Sequence, residues 1–167
     1  MIVPYKISTL LYCFDANDRV LLMERAQEPN QGLWSPCGGK LLTEIGESPY
    51  ACACREAAEE LQLKLTPSEL HLAGIVSEHG YQGQSHWLMF LFEIKLKLAS
   101  IPAHHREGRF AFFGRSEIDS FKLPPTDRER IWPLFWQYRG GFFSAHCHCH
   151  ANGEFDWTLE EAWTPTH

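Results

Sequence analysis

The chain has 167 residues, the length of one domain spanning 1–167, and its 44% apolar and 13% aromatic content suffices for one core and argues against disorder. Its 15 Lys and Arg stand against 21 Asp and Glu, and the formal charge of −6 disfavours a general DNA or RNA binder, which needs a basic footprint. A small phosphorylated substrate stays compatible with that charge, provided a metal cation sits between carboxylates and phosphates. The apolar run from Trp87 to Phe92 is far short of the ~20 residues of a spanning helix. The start, MIVPYKIS, lacks a basic stretch followed by a long apolar one, so no leader peptide is visible. The cysteine pairs Cys52/Cys54 and Cys147/Cys149 do not form the pattern of a secreted disulfide framework. The expectation is a cytoplasmic protein with six reduced thiols, with neither a membrane nor long nucleic acid as partner.

In chain order, Ile7 to Phe14 is β-rich, Asp15 to Asp18 is a turn signal and Arg19 to Met23 is a second strand, together predicting a hairpin. Gln27 to Lys40 is loop-like, with three Gly and two Pro. A helix is predicted from Ser48-Pro49 through Leu63: Ser is a favoured N-cap, and Pro at the first helical position lacks a donor that would be unpaired anyway. His71 to Ser77, His86 to Leu98 and Arg109 to Phe113 have strand character. Thr126-Asp127-Arg128-Glu129 fits a Thr-x-x-Glu capping box opening a second helix, with a late start or kink at Pro133 and an end at Gly140-Gly141. Phe142 to His150 and Glu154 to Leu159 flank Asn152-Gly153, a strong hairpin signal. The fold class expected is α+β, an α/β/α layering of a mixed sheet with two main helices.

The segment Gly38 to Leu63 carries the chemistry. Glu56, Glu59 and Glu60 are spaced i, i+3, i+4, which places three carboxylates on one helical face. Such a face is tolerated best when cations neutralise it, and hard divalent ions such as Mg²⁺ take oxygen ligands of this kind. Glu-rich faces are also common on solvated surface helices, so the flanking residues decide between the two readings. A Gly-Gly loop precedes, and Glu47 stands eight residues before Arg55.

With Gly39, Glu47, Arg55-Glu56, Ala57, Ala58 and Glu59-Glu60 in this order, the segment resembles the Nudix hydrolase family. The family box runs Gly, five residues, Glu, seven residues, Arg-Glu, an apolar residue, any residue, Glu-Glu, any residue, Gly, apolar. Here seven residues separate Gly39 from Glu47, a two-residue loop insertion, and Gln62 replaces the closing Gly. The resemblance implies the Nudix fold and catalysis through Glu56, Glu59, Glu60, Arg55, Glu47 and Glu107. It implies Mg²⁺, or Mn²⁺, held by the Gly39 carbonyl, Glu56, Glu59, Glu60 and Glu107. Arg55 and Glu47 then orient the cluster, and Glu107 stands for the further loop acid that many members use. Water would attack a phosphorus of a nucleoside diphosphate linked to a further group.

Similarity extends weakly over nearly the whole chain to the MutT-like oxidised-purine nucleoside triphosphatases, through GLWSPCGGK, SFKLPPTDRERIWPLFW and the terminal hairpin. It implies a triphosphate pyrophosphohydrolase that releases nucleoside monophosphate and pyrophosphate. Ser35 stands where those enzymes carry an Asn that bonds the purine. Asp127 matches the first of two adjacent base-reading Asp residues, while Arg128 replaces the second and Pro125 replaces a stacking Trp. The acid-to-Arg change reverses the charge offered to the base at that position. Asp127 also suits the first helical turn electrostatically. Arg25, at a strand end, and Lys40 complete the substrate-binding candidates, and Trp34 is expected to pack beneath its loop.

Tyr81 sits eighteen residues after Leu63, a place where dinucleoside-polyphosphate hydrolases of the family often carry Tyr. Hydrolysis of another nucleoside diphosphate derivative (a dinucleoside polyphosphate, a nucleotide sugar or ADP-ribose) is the alternative. A non-catalytic nucleotide-binding sensor is the reading from another class. His146, His148 and His150 project from one strand face with Cys147 and Cys149 on the other. A His-rich patch can bind a transition metal, but CHCH lacks the Cys-x-x-Cys form of a zinc motif, and the reading is a hairpin strand.

Overall fold

The structure is a computed structural model in which residues 2–28, 30–103 and 108–166 are described. Among the described residues nine strands form two sheets: β1 (Tyr5–Tyr12), β2 (Val20–Arg25), β3 (Trp34–Ser35), β4 (Cys37–Lys40), β5 (Leu70–Tyr81), β6 (Ser85–Ile94), β7 (Gly108–Phe113), β8 (Phe142–Cys149) and β9 (Phe155–Trp163). The helices are α1 (Pro49–Leu61), α2 (Arg115–Ile118) and α3 (Trp132–Gln137). The larger sheet has the order β4-β1-β6-β5-β8-β9, with β1–β6 and β5–β8 parallel and the other pairs antiparallel. The smaller has the order β3-β2-β7. This is the expected α+β class with a mixed sheet.

The hairpin expected from residues 7–23 forms only at its turn, where the Leu21 N–H donates to the Cys13 carbonyl and the Asp15 N–H to the Arg19 carbonyl. β1 and β2 belong to different sheets, joined at the turn by an isolated Phe14–Val20 bridge. Asp15 tightens the turn, its carboxylate accepting from the backbone N–H of Asn17 and Arg19 and pairing with the Arg19 side chain. Beyond the turn the strands part, β1 to β4 and β6 and β2 to β3 and β7. The loop-like stretch before residue 41 holds two short strands: β4 pairs with β1, setting Gly39 opposite Thr9, and β3 pairs with β2.

The core has two parts. On one face of the large sheet Tyr12, Phe143 and Leu91 pack against Trp132 and Phe135, with the Tyr12 and Phe135 rings stacked at 4.4 Å. Beneath α1, Ala53, Ala57 and Leu61 meet Leu11, Phe92 and Leu70. The second helix departs from expectation. Thr126 is itself helical and makes no side-chain cap, so the capping box is absent. Its hydroxyl faces the Glu78 carboxyl instead. Asp127–Ile131 forms a π-helical turn that runs without a break into α3, where Pro133 lies in the first turn; of the late start or kink expected at Pro133, the helix shows an irregular turn before it and no late start. The β8–β9 hairpin forms as expected. Among the described residues no helix is long and apolar enough to cross a membrane, and all six cysteines are free thiols.

Candidate active site

Helix α1 starts where the sequence places it. The Ser48 Oγ accepts the Ala51 N–H at 3.1 Å and Pro49 follows, which fixes the phase of the acidic face. The buried stripe reads Cys52, Ala53, Glu56, Ala57, Glu60, Leu61. Two carboxylates therefore occupy a face that should be apolar, with Glu56 8% and Glu60 4% exposed. Burial of a charge is tolerated only with partners. Glu60 Oε2 accepts the Gly38 N–H at 3.1 Å, and Glu56 Oε1 accepts from Arg55 Nη1 at 2.8 Å. Glu59 lies at the rim, its side chain 59% exposed and 3.4 Å from Arg55.

Arg55 organises the cluster. Its fork meets both oxygens of Glu47, at 2.8 and 3.0 Å, and also reaches the Lys40 carbonyl at 3.1 Å. Two-pronged geometry of this kind is the strong form of an ion pair. The guanidinium holds the Glu47 carboxyl down at about 2, with the Leu42 N–H adding to the effect.

The two-residue insertion before Glu47 is absorbed by a short 3₁₀ turn at Thr43–Ile45 closed by Gly46 with φ +67°, so Gly39 stays against the helix. A Cβ at Gly39 would fall 2.1 Å from Glu56 Oε1. No side chain fits between this backbone and the carboxylate, which explains the glycine. Gln62, in place of the box's closing Gly, adopts the same left-handed conformation that glycine favours, φ +57°, and ends α1 as its C-cap.

Two buried carboxylates, a third at the rim and the Gly39 carbonyl give an all-oxygen donor set, which suits a hard divalent ion. Among the described residues no three carboxylate, imidazole or thiol side chains converge on one point. The Arg55 guanidinium supplies the positive charge among them. Glu107 lies outside the described residues.

A cleft of about 390 Å³ opens from this cluster along the sheet. Four substrate-binding candidates, Arg25, Ser35, Lys40 and Asp127, all line it, together with Glu56 and Gly39. Trp34 does not line it; it packs edge-on to Phe113 at 5.0 Å, as expected for a residue beneath its loop. The far end holds a residue that the sequence reading missed. Glu78, on β5, is 4% exposed and lines the cleft with Asp127. Burial, with the Asp127 charge adding to it, pushes the Glu78 carboxyl up to about 8, and burial pushes Asp127 up to about 7. The available signal was positional: Val76 and Glu78 alternate on the face of β5 that turns toward the core. Tyr81 closes that end, its hydroxyl donating to Asn30 Oδ1 at 2.9 Å.

The NUDIX domain family matches residues 4–135 of the chain. Among solved structures, the mutator MutT protein of Bacillus halodurans is similar at a TM-score of 0.70 and 23% identity, covering 93% of this chain and 97% of its own. The MutT protein of Methanosarcina mazei Go1 is similar at 0.69 and 20%, covering 82% of this chain and 97% of its own. The NUDIX domain of Shewanella oneidensis NrtR, solved with ADP ribose, is similar at 0.63 and 14%, covering 82% of this chain and 88% of its own. The chain belongs to the NUDIX family and has a MutT-like fold, which places it among the Nudix hydrolases, enzymes that act on pyrophosphate bonds and generally use divalent cations.

Proposed function

We propose that this chain is a Mg²⁺-dependent pyrophosphohydrolase of nucleoside triphosphates that releases nucleoside monophosphate and pyrophosphate, with Mn²⁺ able to substitute. The observation that carries this reading is the cleft's polarity. One end is the Gly39–Glu56 cluster, the other the Glu78–Asp127 carboxyl pair, and apolar Met23, Met89 and Trp87 line it too. Its volume falls within the ~300–1,000 Å³ of small-molecule sites. A polyphosphate suits the first end through a cation, and a base suits the second.

The Gly39 carbonyl, Glu56, Glu59 and Glu60 would hold the ion. When bound, it supplies Lewis-acid neutralisation of the diphosphate oxygens. Lys40 and Arg25 stand on the cleft wall where cationic side chains can meet phosphate. Arg55 and Glu47 position the acids. Glu59, exposed at the rim, is open to accept a proton from the attacking water. Ser35, Asp127 and Glu78 offer hydrogen-bonding groups to the base edge.

The second reading, another nucleoside diphosphate derivative such as a dinucleoside polyphosphate, is favoured by Tyr81 on the cleft wall. A panel separates the two: canonical and oxidised triphosphates, dinucleoside polyphosphates, sugar nucleotides and ADP-ribose, each offered with Mg²⁺ and followed by chromatography. The expected result is the highest kcat/KM on a triphosphate. Preference for a dinucleoside polyphosphate moves the assignment to the second reading. Tight binding of one compound with no turnover of any would make the protein a sensor.

The raised Glu78 carboxyl gives a stability prediction. In the unfolded chain it ionises near its ordinary 4.5, whereas in the fold it keeps its proton to about 8. The unfolded state therefore binds fewer protons between those values, and stability falls as pH rises through that window. Glu78→Gln, neutral at every pH, should melt several degrees above wild type at pH 8, with a much smaller difference at pH 5. Equal pH dependence of the two proteins in thermal denaturation would contradict the burial of this acid.

A further inference from the structure

The large sheet carries a row of histidine rings that the hydrolytic site does not use. His86 on β6, His79 on β5, His148 on β8 and His150 just beyond it stand in sequence, with ring centroids 4.7, 4.5 and 4.6 Å apart. His79 and His148 are direct register partners across the parallel β5–β8 pair. His148 and His150 share one strand face because they are two residues apart. The row lies on the opposite side of the sheet from the cleft, since His79 follows Glu78 directly and successive side chains point to opposite faces. Helix α1 occupies the same side but packs on β1 and β4, and His79, His148 and His150 are exposed.

Hydrogen bonding differentiates the four rings. The Gly80 N–H donates to His86 Nδ1 at 3.0 Å. A neutral His86 therefore carries its proton on Nε2 and has no free lone pair to offer. His150 Nε2 lies 2.7 Å from Asp156 Oδ2. A carboxylate accepting one ring N–H leaves the other nitrogen, Nδ1, with its lone pair outward, and this is the arrangement found behind metal-ligating histidines. His79 and His148 make ring contacts and no hydrogen bond among the described residues.

Imidazole nitrogens of this kind select borderline transition ions over Mg²⁺. Two of them on one ion need metal–nitrogen distances of about 2.0–2.1 Å; the His79 and His148 rings, 4.5 Å apart and inclined at 30°, would meet this by turning out of their face contact. No three ligand-type side chains converge among the described residues, so two imidazoles would hold the ion, with water completing its coordination. We propose that the His79–His148 pair of this row, with His150 at its flank, is a second metal site, separate from the carboxylate cluster, for a divalent transition ion of the nickel or zinc type.

Equilibrium dialysis of the full chain against Ni²⁺ in excess Mg²⁺ tests it. One Ni²⁺ per chain should bind, should persist in Glu56→Gln and should be lost in the His79→Ala/His148→Ala double variant. These are exposed positions, so that variant should melt close to wild type without Ni²⁺, and its hydrolytic rate with Mg²⁺ should be unchanged. Adding Ni²⁺ should raise the melting temperature of the wild type and not that of the double variant. Nickel uptake equal in wild type and double variant, or absent from both, would overturn the site. Uptake lost only in Glu56→Gln would assign the ion to the carboxylates instead.

Discussion

Replacing Glu59 by Gln should lower turnover by about 10²–10³-fold, the usual cost of deleting one group that stabilises transition-state charge, while leaving the fold intact. The asymmetry follows from its position. The Glu59 side chain is 59% exposed and approaches Arg55 at 3.4 Å. Removing an exposed charge usually changes stability by no more than about 0.5 kcal/mol, so the melting temperature should stay within about 2 °C. Glu56 and Glu60 give a less clean test, because each is buried and bonded to α1 or to the Gly38 backbone. Their amides would disturb packing and chemistry together. Steady-state rates with Mg²⁺, paired with thermal melts, distinguish the outcomes. An unchanged rate in Glu59→Gln would mean that the rim carboxylate is an ordinary solvated side chain.

The second large effect is on stability. Arg55→Ala removes the guanidinium that Glu47 and Glu56, with side chains 7% and 10% exposed, both meet. Breaking a buried pair on one side costs about 3–5 kcal/mol. At roughly 2–4 °C per kcal/mol for a chain of this size, the melting temperature should fall by about 6–20 °C. Arg55→Lys should recover only part of that, since an ammonium cannot bond both Glu47 oxygens and Glu56 in one plane. The Glu47 carboxyl is depressed to about 2 from an ordinary 4.5. Its contribution is therefore complete above about pH 4.5 and fades as pH falls toward 2, so wild type and Arg55→Ala should converge in acid. A melting temperature lowered by less than 2 °C at neutral pH would show that the cluster does not depend on this guanidinium.

Local signals carried much of this arrangement. Ser48-Pro49 set the start of α1, the i, i+3, i+4 spacing put the three acids on one side, and Asn152-Gly153 located the terminal hairpin. What escaped depends on pairing between distant segments. The split of β1 and β2 into two sheets turns on which neighbours each strand finds, β6 and β4 in one case and β7 and β3 in the other. The capping box at Thr126 was sound as a local pattern, but the hydroxyl faces a buried acid 48 positions earlier in the chain. Glu78 and the histidine row share that cause. Asp127 and His148 are far from Glu78 and His79 along the chain and become neighbours through sheet register and layer packing, and His86 meets His79 across the β5–β6 turn.

The reaction proposed for this chain is hydrolysis between the α- and β-phosphates of a nucleoside triphosphate at the Glu56–Gly39 end of the cleft. The most direct measurement is product analysis of a single triphosphate incubated with purified protein and Mg²⁺. The prediction is nucleoside monophosphate and pyrophosphate in equal amounts, with both products falling together in Glu59→Gln. Release of orthophosphate and nucleoside diphosphate, or no cleavage at all, would contradict it.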